Sequence, residues 1–207
     1  MSFRKLLEAF EGEETLPVPV DRIAKWLMDN GIQDEIDFVG VDLDTGVIRG
    51  FLHRFTYHKV PYGAPVMCAN IYYARNQDQD WINLVCAKEL IHMMDKNHRV
   101  TKKEQFDTLI SRLVLPRELK VLLEDPAYAL SDKFGDAFAA AILLPLASRS
   151  LLIEPYKNDE VTAADIALVA EMPVHYVRLV MSDEWPAAYE RMKTIGETAK
   201  PPVANTP

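Results

Sequence analysis

Residues 82–94 read INLVCAKELIHMM. Nine of these thirteen are apolar, and on a helix they fall on every side, which is the pattern of a buried helix rather than a surface one. Three ionisable residues interrupt it: Lys88, Glu89 and His92. At about 100° per residue, Lys88 and His92 lie roughly 40° apart and Glu89 roughly 60° beyond His92. The three therefore share one flank of the helix. Charge on a buried helix is costly unless it is paired or used. Two readings stay open at this level: a solvent-facing stripe or structural ion pair, or a site.

The sequence on either side sets the frame for this helix. Residues 3–10 suit a short helix, and a second runs from Asp21, read as its N-cap, through Ile23, Ala24, Leu27 and Met28 to a stop at Gly31. From Ile36 the period changes. IDFVGVDL (36–43), VIRGFLHRFTY (47–57) and APVMCANIYY (64–73) read as strands separated by the turns DTG and PYG. Three such runs in succession predict an antiparallel meander. Beyond Arg75 the reading is helical: about 79–96, a helix behind the capping-box pattern Thr101–Glu104, one opened by Pro116, SDKFGDAFAAAILLP ended by Pro145, a pair (162–170 and 174–181) around Met172-Pro173, and a last one from Pro186. The expected class is α+β, with a small antiparallel sheet packed on a helical bundle that carries the motif helix. One domain is expected over 1–196, with 197–207 (ETAKPPVANTP) a disordered tail.

Composition narrows the function classes. Apolar residues at 49% and charged residues at 26% exclude a disordered chain, a collagen and a coiled-coil rod. Thirty-one acidic against 23 basic residues leave a net charge of −8, and the densest basic cluster is only Arg99, Lys102 and Lys103, so direct nucleic-acid binding is not expected. The longest apolar run, 137–147, contains Pro145 and is too short for a membrane span, so no membrane partner is expected. MSFRKLLEAFEGEE has no long apolar core and is not read as a secretory signal. Cys68 and Cys86 sit among apolar neighbours and read as buried thiols rather than a disulfide, which suits a cytoplasmic protein.

The spacing in the motif helix has a chemical sense. A zinc site on a helix needs two imidazoles one turn apart and a carboxylate beside the first to act as base on bound water, the logic of H-E-x-x-H. Here Lys88-Glu89-Leu90-Ile91-His92 reads K-E-x-x-H. Alone, E-x-x-H is a weak signal.

The surrounding segments make it specific. VPVDRIAKWLMDNGI, APVMCANIYY, CAKELIHMMD, DKFGDAFAAAILLP (132–145) and VTAADIALVAEMPVHYVRLVM resemble, in order, the segments of the ImmA/IrrE family of zinc metallopeptidase-like proteins over about residues 17–181. The resemblance implies a zincin-like fold. It also implies roles: Glu89 as catalytic base, His92 as second metal ligand, and Asp132 as third ligand where the family has glutamate. Lys88 falls on the first ligand and breaks the pattern. Asn83 stands where many members have arginine, and Gly135-Asp136 replaces Ala-Asn.

A protonated lysine donates only and cannot ligate a cation. Catalytic zinc takes three protein ligands plus water, and His92 with Asp132 supplies two. An ammonium at position 88 would also repel Zn²⁺. The expectation is therefore no cofactor, with zinc only if the site is active. The Lys88 ammonium is expected in or near the metal space, paired with Asp132 or Glu89. Function divides accordingly between a catalytically impaired regulatory or protein-binding member, which the lysine favours, and an active cytosolic zinc endopeptidase cleaving a helix-turn-helix transcriptional repressor, as the resemblance implies. In either case the expected partner is a protein, such as that repressor. The helix pair 162–181 also has a helix-turn-helix pattern, but Asp183 and Glu184 follow its second helix. His53 and His58, an odd number apart on one strand, are expected on opposite faces as ordinary packing or surface residues. His98 reads as a helix-end cation, with Asp95 or His98 the reserve metal ligands, and His175, Trp26, Trp81 and Trp185 read as packing residues.

Overall fold

The computed structural model describes residues 2–94 and 126–194, with the side chains of 126–133 excepted. The helix readings around 101–124, the roles of Asp95 and His98, the basic cluster at 99–103 and the tail 197–207 all lie outside the described residues. In chain order the elements are α1 (Phe3–Phe10), α2 (Val20–Asp29), β1 (Glu35–Val41), β2 (Gly50–His58), β3 (Pro65–Ala74), α3 (Gln79–His92), α4 (Pro126–Leu143), α5 (Leu146–Lys157), α6 (Ala163–Ala170), α7 (Val174–Met181) and α8 (Trp185–Thr194). The class is α+β, with eight helices and one three-stranded sheet among the described residues.

The sheet is mixed, which corrects the antiparallel meander. Its order is β1-β3-β2: β2 and β3 form an antiparallel hairpin, and β1 lies parallel to β3 on the other side. The central place goes to the strand that carries no charge, PVMCANIYYA, whereas β1 holds Glu35 and Asp37 and β2 holds Arg54. A central strand is flanked on both edges, so formal charge is best kept to the outer strands. The DTG segment does make a turn, with Asp44 accepting from the N–H groups of Gly46, Val47 and Ile48. That turn lies within an eight-residue connection, 42–49, long enough to cross the width of the intervening strand, about 10 Å.

Alternation along the strands sorts the two faces. Ile36, Phe38, Leu52, Ala69, Ile71 and Tyr73 face the core, beneath α3. Phe51 and Tyr72 stack at 4.9 Å on the opposite face, and His53 stacks on Phe55 at 5.0 Å. His58 Nδ1 lies 2.7 Å from the Gly63 carbonyl. A Cβ built at Gly50 would lie 2.5 Å from the Tyr72 carbonyl oxygen and would collide with Val85 Cγ1 on α3. The glycine lets helix and sheet close on each other. Gly50→Ala is expected to cost about 1–3 kcal/mol, since overpacking of this kind displaces backbone; urea unfolding with an unchanged midpoint would show that the sheet can step away from α3.

Local signals explain most helix ends. Asn30 caps α2 and Gly31 follows at φ 110°, a conformation glycine adopts without strain. The start of α2 differs from the sequence reading: Pro19 holds the N-cap position and Asp21 falls in the first turn, where its charge complements the helix dipole. Thr162 and Asp165 form a reciprocal capping box on α6. Pro145 separates α4 from α5. The pair Phe134–Leu143 and Leu146–Lys157 is bent by 80°, and no single helix among the described residues is long and apolar enough to cross a membrane.

The core gathers around α3. Leu84, Cys86, Ala87, Leu90 and Ile91 are buried with Phe138 to Leu144, with Ile23 and Leu27 from α2, and with Ala69 and Ile71 from the sheet. Burial on so many sides is what an all-round apolar helix requires. Cys68 and Cys86 are free, buried thiols; burial pushes the Cys86 thiol up to about 12, with Glu89 adding to the effect.

Candidate functional site

The polar residues of α3 lie where the helix meets α4. Lys88 Nζ stands 3.2 Å from Glu89 Oε1, and the two side chains are only 14% and 7% exposed. This is an ion pair between sequence neighbours in a poorly hydrated place. His92 lies one turn further along α3. Gly135 of α4 packs directly on this face: a Cβ there would come within 2.9 Å of Lys88 Cγ and 3.1 Å of His92 Nε2. The lack of a side chain at Gly135 therefore leaves room for the lysine stem. Asp132 sits on the same helix, three positions before Gly135 and so one turn away on that side. Its side chain falls outside the described part of the structure.

A second group of polar side chains joins α4, α7 and the first turn of α3. Asp136, next to Gly135, accepts a 2.6 Å hydrogen bond from the Tyr176 hydroxyl at the start of α7. Burial chiefly, and this bond to a carboxylate, hold the Tyr176 phenol well above its usual range, so it stays a donor; the Lys88 charge acts weakly the other way. His175 packs against Trp81 with ring centres 5.2 Å apart, and burial lowers its basicity. The Arg49 guanidinium lies over the other side of this group, 3.7 Å from the Trp81 ring centre, a cation–π contact. Arg49 is also held by Gln77 Oε1 at 3.3 Å. This group is thus built from the end of the β1–β2 connection, the first turn of α3, α4 and α7.

Asn83, in the place of the expected arginine, is buried and structural here. Its amide donates to the Glu171 carbonyl at 3.2 Å and to Glu171 Oε2 at 2.9 Å, while Gln79 donates to its oxygen at 2.8 Å. Glu171 ends α6 in the left-handed region, φ 47°, so the network ties the α6–α7 corner to the motif helix. Trp185 is buried in the core and Trp26 packs at its margin.

Sequence reading missed Arg49, Tyr176 and the partnership of Trp81 with His175. None has a motif spacing; they meet because α7 and the β1–β2 connection converge on the first turn of α3. Asp136 was visible only as a departure from a pattern.

The donor set read from the sequence does not suit a resident zinc: an ammonium cannot ligate a cation, and Lys88 Nζ stands beside the carboxylate that would serve as base. Among the described residues, which do not include the Asp132 side chain, no group of three or more His, Cys, Asp or Glu side chains could hold a metal ion. Two cavities lie away from this cluster. One, of about 580 Å³, is lined by Phe134, Leu179, Trp185 and Arg191; the other, of about 240 Å³, lies between α5 and α6. In comparison with known proteins, no family model, no curated protein and no solved structure matches this chain.

Proposed function

We propose that the chain is an ImmA/IrrE-like protein of zincin-like fold whose motif site is occupied by its own lysine, and that it acts as a non-catalytic, protein-binding regulator. The observation that carries this reading is the ion pair between Lys88 and Glu89 at 3.2 Å. A general base must be able to reach the water it activates. Here the carboxylate in that place is shielded to 7% exposure and its charge is engaged by an ammonium. The order of elements supports the family reading: two helices, a small sheet, the motif helix, and a later helix that reaches the motif face and ends in Leu-Leu-Pro. Against catalysis stand the lysine and the glycine that accommodates it.

The proposed partner is a protein, in keeping with the helix-turn-helix repressor that the resemblance implies, bound without direct nucleic-acid contact. Arg49, Trp81 and His175 offer a cationic and aromatic surface beside the plugged site, the kind of side chains that dominate protein interfaces. Metal content of untagged protein, measured by plasma mass spectrometry after purification without chelators, tests the reading. The expected result is far less than one zinc per chain. One zinc per chain would overturn it and restore the active endopeptidase.

A further inference from the structure

We propose that the groove between α5 and α6 docks a cationic amphipathic helix of a partner protein. The groove is lined by Leu16, Leu152, Val161 and Ile166, with Glu14 and Asp165 among its walls. At about 240 Å³ it is smaller than a pocket for a drug-sized ligand, about 300–1,000 Å³, and suits an apolar side chain used as an anchor. Two of its lining residues are large apolar side chains that the fold leaves in water: Leu151 at 59% exposure and Val169 at 55%. Scattered exposed apolar residues are ordinary, but two lining one cavity from adjoining helices form a patch.

The charge pattern selects the occupant. Each of these two residues has an acid about one helical turn away along its own helix: Leu151 has Glu154, and Val169 has Asp165. Asp159 and Glu160 lie in the turn between the helices. The two basic residues of 146–170 are turned to other work. Arg149 donates to the carbonyls of Val180 and Ser182, and Lys157 pairs with Asp183 at 2.9 Å. An apolar strip bordered by carboxylates is complementary to a helix with an apolar face flanked by lysine and arginine. A second copy of this chain, using the same face, would set carboxylates against carboxylates. An anionic lipid surface or a nucleic acid would meet the same repulsion.

This surface shares no residue with the Lys88 cluster, so the proposal stands or falls independently of the zinc question. The probe is a fluorescein-labelled peptide of leucine and lysine with leucines at i, i+3, i+4 and i+7, titrated with the full chain and followed by anisotropy. Saturable binding is expected, weakening with salt. The variant L151S/V169S should bind at least about tenfold more weakly. Both residues are exposed, so its thermal midpoint should match that of wild type. Should it not, E154K/E160K carries the test and should also weaken binding. That variant alters exposed charge and leaves the Thr162–Asp165 capping box in place. The same peptide with glutamate in place of lysine should not bind. No saturable binding, equal binding of the glutamate peptide, or binding indifferent to both variants would overturn the proposal. So would a concentration-dependent dimer of the chain that Leu151→Ser abolishes, since that would put a second copy in the groove.

Discussion

Lys88→His is expected to raise zinc affinity by about a hundredfold or more. Tight four-ligand zinc sites are worth about 10–16 kcal/mol, so one ligand carries on the order of 3 kcal/mol, about two decades of affinity. The variant gains an imidazole one turn from His92 and loses an ammonium that repels the ion. It also releases Glu89 from its ion pair, and Gly135 leaves space beside the new ring. The ligand set would be the introduced histidine, His92 and Asp132. Isothermal titration of untagged wild type and variant reads the difference directly. Hydrolysis is a poorer readout, because aspartate is shorter than glutamate and Asn83 is committed to Glu171. Equal, weak affinity in two folded proteins would mean that position 88 is not a vacated ligand and that the site did not descend from a zinc site.

The second large effect is on stability. Arg54 on β2 meets Asp34, just before β1, through two parallel bonds, Nε to Oδ1 at 2.8 Å and Nη2 to Oδ2 at 2.7 Å, with both side chains buried. The pair closes the outer strands over the central one at the core face. Arg54→Ala would leave a buried carboxylate without its cation, at a cost of about 3–5 kcal/mol. Domains are commonly stable by about 5–15 kcal/mol, so much of the total would go. The double variant D34L/R54M is expected to lose less than Arg54→Ala alone, because an apolar pair of similar volume needs no compensating charge. Urea unfolding compares them. A loss below about 1 kcal/mol for Arg54→Ala would mean that water reaches the carboxylate.

Much of this architecture is legible in local patterns. The buried motif helix announces itself by apolar residues on every side, and Thr162 with Asp165, Gly31 and Pro145 mark helix limits through chemistry that acts within a few residues. Helix α5 carries no such signal. Its apolar residues are diluted by Ser148, Arg149 and Pro155, and its position is held by distant partners: Ser148 donates to the Glu13 carbonyl at 2.8 Å and Arg149 to those of Val180 and Ser182. The strand order departs from the sequence reading for a related reason. Adjacent alternating runs suggest neighbours, but which strand takes the centre is decided by which can be flanked on both edges without burying charge.

At the candidate site the division is similar. Spacing alone puts Lys88, Glu89 and His92 on one flank of a helix, because helical periodicity is a property of the chain. What Lys88 does with its charge is left by the sequence between two carboxylates. The contact with Glu89 depends on α4 packing close enough, at Gly135, to keep both side chains out of water. The wall of Arg49, Trp81, His175 and Tyr176 has no signature at all, since its members come from segments up to 127 residues apart and meet through packing. Sequence by itself determined most of the elements, α5 excepted, and the anomalous lysine, both set by interactions within a turn or two of chain. The tertiary structure decided the sheet order, the contact of Lys88 with Glu89 and the surroundings of the site, because burial and charge pairing depend on what the rest of the fold brings near.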